Sequence, residues 1–291
     1  MEKKEAPPEK KRGKISIPGL FKKKERGEKI SWITCYDFPF AQLMDEAGIE
    51  MILVGDSAAM TVHGHKGTLP ITMDEMISHS KAVTRGAQYA FVIGDMPFMA
   101  YHPSVEEAIR SAGRFMKEGG CDAIKLEGGK RVAHIVRAIV DCGIPVVGHI
   151  GLTPQSSSAL GGHKIQGKSA ESAKALIEDA RALKEAGAFA ILLELIPTPV
   201  AEMIQKETGL LIFSIGAGPT CDGQLLIMHD MLGLFQLFQP KFVRQYANLA
   251  ETAKQAFEAY RADVKAKTFP SKEHEYDIDP EEVAKLKAMM K

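Results

Sequence analysis

Two segments end alike: MILVGD closes on Asp56 and YAFVIGD closes on Asp95. In each, an apolar run with the look of a buried strand passes through a glycine to a carboxylate. Desolvating a charge at such a place is costly, so each Asp either caps the adjoining helix or turn or meets a cation. A carboxylate pair without a Cys or His ligand run suits a hard, oxygen-loving ion such as Mg²⁺. That ion takes only one or two protein carboxylates and leaves positions for water and substrate. The preceding glycines suit close backbone approach at a barrel mouth. KLEGG sets Lys125 and Glu127 two apart, on one face of a strand. Pointing inward, they are either a buried ion pair or a cation for an anionic substrate beside an outer metal carboxylate. Glu194, in LLELIP, is a lone carboxylate in an apolar strand. Its phase places it inward, with Leu193 and Leu195 facing helices. A buried Glu holds its proton more tightly and can serve as a general base. It can equally be satisfied by a hydrogen bond from His149 on the neighbouring strand, and His149 reads as a supporting residue.

The elements that position these residues alternate regularly from Ile30 onward. ISWITCYD, MILVGD, YAFVIGD, AIKLEGG, VVGHIGL, FAILLELIP, LLIFSIGAG and GQLLIMHDML read as strands, and most are followed by an amphipathic helical stretch. Strands apolar on both faces between such helices make a parallel sheet, and eight units make a (β/α)8 TIM barrel. An open doubly wound sheet would show G-x-G-x-x-G after the first strand, which YDFPFAQ lacks. In a barrel the C-terminal strand ends form the active face. Those ends carry Tyr36, Asp37, Asp56, Ser57, Asp95, Lys125, Glu127, His149, Glu194 and the Gly216–Gly218 turn. The opposite ends carry only ordinary polar residues. This asymmetry points to an enzyme. SIGAGPTCDGQ could contact phosphate or pass close to a flat heterocycle. HGHKGTLP, with His63 and His65 but no third ligand at metal spacing, reads as a mobile loop. Of the four cysteines, Cys35 and Cys221 are expected on the rim and Cys121 and Cys142 away from it.

The bulk properties narrow the class. Lys+Arg 37 balance Asp+Glu 37, which argues against nucleic-acid or membrane-surface binding. No apolar run approaches the ~20 residues of a membrane span, and the charged start MEKKEAPPEKKRGK lacks a signal-peptide core. Unpaired thiols and the absence of a signal suit a cytoplasmic protein. Residues 1–27 read as a charged segment, disordered over 1–14, with a short helix capping the barrel floor. Residues 28–265 read as the catalytic barrel, and 266–291 as a tail with a short helix whose Leu286, Met289 and Met290 could pack on a neighbour.

The motifs TCYD, VGDSAAMTVHGH, TLPIT, GDMPFMAY, KLEGG, GHIGLTPQS, GGHKIQGK, LELIP, IGAGPTCDGQ and HDMLG, in this order, resemble the 3-methyl-2-oxobutanoate (ketopantoate) hydroxymethyltransferase family from about Lys29 to Glu275. The resemblance implies a barrel of the phosphoenolpyruvate/pyruvate type and a homo-oligomer, most often a homodecamer. It implies transfer of a one-carbon unit from 5,10-methylenetetrahydrofolate to 3-methyl-2-oxobutanoate, giving 2-dehydropantoate in pantothenate (coenzyme A) biosynthesis. It further implies that Asp56, Asp95 and Glu127 serve a Mg²⁺ site, that Asp56, Ser57, Asp95 and Lys125 contact the 2-oxo acid, and that Glu194 is the proton acceptor. His163 and Ser214 depart from the family pattern, where Tyr and Gly are usual. Two other readings compete. A Mg²⁺-dependent carbon–carbon lyase or mutase of the phosphoenolpyruvate mutase/isocitrate lyase type would share the barrel but would offer a catalytic Cys in a rim loop. A catalytically dead scaffold would not need the intact charged set.

Overall fold

The computed structural model describes residues 12–162 and 164–291; most of the segment expected to be disordered, and His163, lie outside the described residues. The three described residues of that segment lead onto the barrel wall: Lys14 Nζ lies 2.9 Å from the Asp122 carboxylate and donates to the Ala90 carbonyl. α1 (Ile17–Glu25) then begins at an N-cap Ser16 whose side chain accepts from the Gly19 N–H.

Eight parallel strands close into a barrel in chain order: β1 (Ile30–Thr34), β2 (Met51–Val54), β3 (Phe91–Asp95), β4 (Ala123–Glu127), β5 (Val146–Gly151), β6 (Ala190–Glu194), β7 (Leu211–Ile215) and β8 (Gly223–Leu226). The helices between them are α2 (Phe38–Glu46), α3 (Ala58–Thr61), α4 (Met73–Gly86), α5 (Val105–Arg114), α6 (Ala133–Asp141), α7 (Ala170–Glu185) and α8 (Thr198–Thr208). α9 (Met228–Met231), α10 (Leu249–Ala266) and α11 (Pro280–Met289) come after the last strand.

The period-2 phase of each strand divides the core in two. Ile30, Trp32, Met51, Leu53, Phe91, Ile93, Ala123, Val147, Ala190, Leu192, Leu211 and Phe213 fill the barrel interior, and Leu20 of α1 joins this cluster as a plug at the floor. Ile52, Val54, Val92, Ile124, Val146, Ile191 and Ile212 face outward into the helix layer. Continuing the inward phase up each strand leads to Thr34, Asp95, Lys125, Glu127, His149 and Glu194. The strands that bury apolar side chains below therefore deliver polar ones above.

Three local expectations are corrected. The β7–β8 connection, residues 216–222, contains no helix; it runs back down the wall so that Asp222 accepts from the Ile212 N–H at 2.8 Å. Cys221, just before β8, consequently lies at the floor, where its carbonyl accepts from Lys29 Nζ. Gly94 does not serve the mouth: a Cβ there would run into the Phe115 ring, so the glycine lets the turn after α5 close on the sheet.

Candidate active site

The site begins with the β3–β4 register, which pairs Asp95 with Lys125. Their side chains form a buried ion pair, Lys125 Nζ to Asp95 Oδ1 2.8 Å, both under 4% exposed. The pairing partner of Lys125 is thus Asp95, not Glu127. Burial works against the ammonium, but Asp95, then Glu127 and Asp56, hold its pKa above the usual value. The other Asp95 oxygen, Oδ2, accepts the Asp56 N–H at 3.0 Å. Asp56 caps nothing, because the N-cap of α3 is Ser57, whose side chain makes no capping bond. Ser57 instead sets its Oγ 2.9 Å from the Tyr36 hydroxyl. Gly55 makes room for it: a Cβ there would sit 2.8 Å from Ser57 Oγ. Asp37, by contrast, is the N-cap of α2, with its Oδ1 accepting the Phe40 N–H.

Sequence reasoning missed Gln155, the residue that ties the carboxylates together. Its Nε2 donates to Asp56 Oδ2 at 2.9 Å and its backbone N–H to Glu127 Oε2 at 3.0 Å. Its Oε1 accepts from the Tyr101 hydroxyl at 2.8 Å. An uncharged amide just after β5 carries no chemical signal of its own in a sequence; only its place inside GLTPQS hinted at it.

His149 sits between charged groups. Its Nδ1 lies 3.3 Å from Lys125 Nζ and 3.4 Å from Glu127 Oε1, so this nitrogen faces both a donor and an acceptor. Nε2 in turn faces Glu194 Oε2 at 3.1 Å. Burial first, and Lys125 second, lower the imidazole pKa and keep the ring neutral. His149 thus lies beside Glu194, the residue it was expected to support. Glu194 itself has its pKa raised by burial, against which His149 is the main stabiliser of the charged form. Leu195 does not face the helices as expected. It takes a positive φ of 47° and turns to line the cavity.

Asp56, Ser57, Asp95, Lys125, Glu127, His149 and Glu194 open onto one cavity of about 560 Å³. Asp56, Asp95, Glu127 and Glu194 bring four carboxylates to a single ammonium. Burial raises Asp56 well above the ordinary range, helped by Asp95 and Glu127, and burial pushes Glu127 up to about 7. Excess buried negative charge of this kind calls for a cation. Asp95 Oδ1 and Glu127 Oε1 are buried without an aligned hydrogen bond. The donor set therefore fits a hard divalent ion. It is not a preassembled three-ligand centre: among the described residues no three Asp, Glu, His or Cys side chains converge to hold a metal. Gln155 holds one oxygen each of Asp56 and Glu127, and Lys125 holds Asp95, which keeps the three carboxylates apart.

The other motifs place less at the cavity. His63 pairs with His79, Nε2 to Nε2 3.0 Å, and ties its loop to α4. Gly218 packs against Thr198, and Ser214 Oγ accepts the Ala217 N–H. Of the thiols, only Cys35 lies near the rim. It is buried, its pKa pushed up to about 12, so it is no nucleophile.

A family model described as ketopantoate hydroxymethyltransferase matches residues 14–272. A 3-methyl-2-oxobutanoate hydroxymethyltransferase from Syntrophomonas wolfei is 52% identical over 273 residues, 94% of this chain and 99% of that protein. One of the same name from Alkaliphilus metalliredigens is 55% identical over 265 residues, 91% and 94% of the two chains. Among solved structures, a 2,3-dimethylmalate lyase of the PEP mutase/isocitrate lyase superfamily aligns with TM-score 0.55 at 16% identity, covering 94% of this chain and 98% of its own. A phosphoenolpyruvate phosphomutase from Streptomyces platensis aligns with TM-score 0.56 at 14% identity, covering 90% and 91%. At such identities the structural likeness concerns the fold alone.

Proposed function

The chain belongs to the ketopantoate hydroxymethyltransferase family, and from that premise we propose that its barrel mouth enolises 3-methyl-2-oxobutanoate and joins C3 to the methylene carbon of 5,10-methylenetetrahydrofolate. Water supplies the hydroxyl oxygen, and the products are 2-dehydropantoate and tetrahydrofolate. The observation that carries this reading is Glu194. It is a carboxylate on the inward phase of β6, opening onto the cavity, whose one polar neighbour among the described residues is a neutral imidazole. A carboxylate with a raised pKa is a stronger base, suited to taking the proton from C3. His149 Nε2 stands 3.1 Å from Glu194 Oε2.

Asp56 and Asp95 would hold a Mg²⁺ ion, with Glu127 in support. Bound there, Mg²⁺ supplies Lewis-acid polarisation of a keto oxygen. Lys125 places a permanent positive charge beside the point where enolate charge develops and stabilises it in a water-poor site. Ser57, held by Tyr36, offers a hydroxyl to the substrate carboxylate. Gln155 and Tyr101 keep the carboxylates in place while the substrate changes charge.

Assembly is part of the same reading. α10 has eighteen residues and none is buried, with Phe257 71% and Tyr260 59% exposed. An isolated helix gains little from propensity alone, and exposed aromatics on it mark a contact surface. A homo-oligomer, the decamer of the family, covers it.

The test is product formation from 3-methyl-2-oxobutanoate and 5,10-methylenetetrahydrofolate, with Mg²⁺ and with EDTA. 2-Dehydropantoate is expected with Mg²⁺ and should be lost on chelation. Turnover that ignores EDTA would exclude a role for the metal; no turnover at all would exclude the function.

A further inference from the structure

The cavity has a half that the enolisation machinery does not use. Asp56, Asp95, Lys125, Glu127, His149 and Glu194 come from β2 to β6. On the β7–β8 side the wall is apolar: Ile215, Leu225, Ile227 and Phe242 line it, and Phe238 and the exposed Lys241 stand at its outer edge. Into this wall α9 sets one carboxylate, Asp230. It is 7% exposed and lines the cavity. No hydrogen bond or ion pair of its carboxylate is found among the described residues, and burial alone perturbs it, raising its pKa to about 6. No protein donor among those residues satisfies its oxygens, and they open onto the cavity. Every other carboxylate of the cavity has a donor or a cation beside it. Asp230 is in the position of a group whose partner arrives with a ligand.

We propose that Asp230 binds the donor edge of the pterin ring of the folate co-substrate, the ring lying along the Leu225–Ile227–Phe242 wall and the glutamate tail leaving past Lys241. The inference rests on the proposed function, since it names the subsite for that reaction's second substrate. The chemistry matches in three places along one path. The 2-amino group and adjacent ring N–H form a pair of donors, which a carboxylate accepts side by side. The flat ring and its aryl extension need apolar and aromatic walls. The tail carries carboxylates, which a rim lysine attracts. The order from buried acceptor to exposed cation is the order of these groups in the co-substrate. The small branched 2-oxo acid offers no N–H donor, and its own carboxylate would be repelled by Asp230.

The test is Asp230→Asn in the full-length protein, with Lys241→Ala beside it. Asn keeps the shape but presents an amide donor toward one of the ligand's donors. For Asp230→Asn the expected result is a rise of roughly 10- to 100-fold in KM for 5,10-methylenetetrahydrofolate, as loss of a charge-assisted pair predicts. The Kd for tetrahydrofolate, by calorimetry, should rise by a like factor, while KM for 3-methyl-2-oxobutanoate moves less than about twofold. Lys241→Ala should weaken tetrahydrofolate binding less, and its effect should vanish at high salt. If folate KM and tetrahydrofolate Kd stay within twofold in Asp230→Asn, the subsite assignment is overturned. A selective rise in the oxo-acid KM would overturn it equally. If the unmodified protein shows no folate-dependent turnover, the proposed function fails instead, and the two failures are told apart.

Discussion

At the scale of single residues, charge and its environment divide the labour in the cavity. Lys125 stays charged because three carboxylates face it, and His149 stays neutral because burial, and after it the lysine, disfavours the imidazolium. Replacing Lys125 by Met would leave Asp95 buried without its cation. Breaking a buried pair from one side typically costs about 3–5 kcal/mol, so Lys125→Met should unfold at markedly lower denaturant concentration and lose activity together. Gln155→Leu tests the clamp differently. It removes the buried side-chain amide donor to Asp56, at about 1–3 kcal/mol for an orphaned group, while Tyr101 loses one acceptor but keeps the Glu127 backbone. Mg²⁺ titration monitored by activity should show a weaker metal requirement curve, shifted to higher concentration; an unshifted curve would deny Gln155 a part in holding the carboxylates. The pH dependence comes from Glu194. Burial raises its pKa, so the base is protonated at pH values where an ordinary Glu, near ~4.3, would already be ionised. Activity should therefore rise with pH along a limb lying above the ordinary carboxylate range, because only the deprotonated form can take a proton.

At the scale of elements, the fold works by continuing one phase. The same alternation that buries Phe91 and Ile93 in the barrel presents Asp95 at the top, and Ala123 leads in the same way to Lys125 and Glu127. Gly94 stands on the opposite phase, against Phe115. Gly94→Ala should cost about 1–3 kcal/mol from overpacking and lower the thermal midpoint. It should also reduce activity, since Asp95 is its immediate neighbour. This periodicity is why the barrel and its charged rim could be read from sequence: strand phase and strand-end chemistry are local properties. The features that escaped reading are non-local. Gln155 matters through four partners from distant segments, Asp56, Met96, Tyr101 and Glu127, and Asp230 through having none among the described residues. The helix-free β7–β8 return puts Cys221 at the floor, and no local pattern distinguishes a descending loop from a rim turn. Leu195 turns into the cavity because the chain bends sharply after Glu194, at a φ that a leucine rarely adopts.

At the scale of the molecule, the barrel is closed below by Leu20 and open above to a single cavity, while α10 and α11 extend without buried residues. Light scattering at micromolar concentration should give a mass well above 31.8 kDa, and a monomer would contradict the covering of α10. Removing residues 277–291 should change that mass little, because α10 carries the larger exposed aromatic face. The central claim is that one rim of the molecule makes an enolate, with Glu194 as its base. The most direct measurement is exchange of the C3 proton of 3-methyl-2-oxobutanoate into deuterium oxide, monitored by NMR with Mg²⁺ and without folate. The unmodified protein should catalyse exchange, and Glu194→Gln should do so at a rate about 100- to 10,000-fold lower, with oxo-acid binding retained. Exchange by Glu194→Gln at the unmodified rate would contradict the claim.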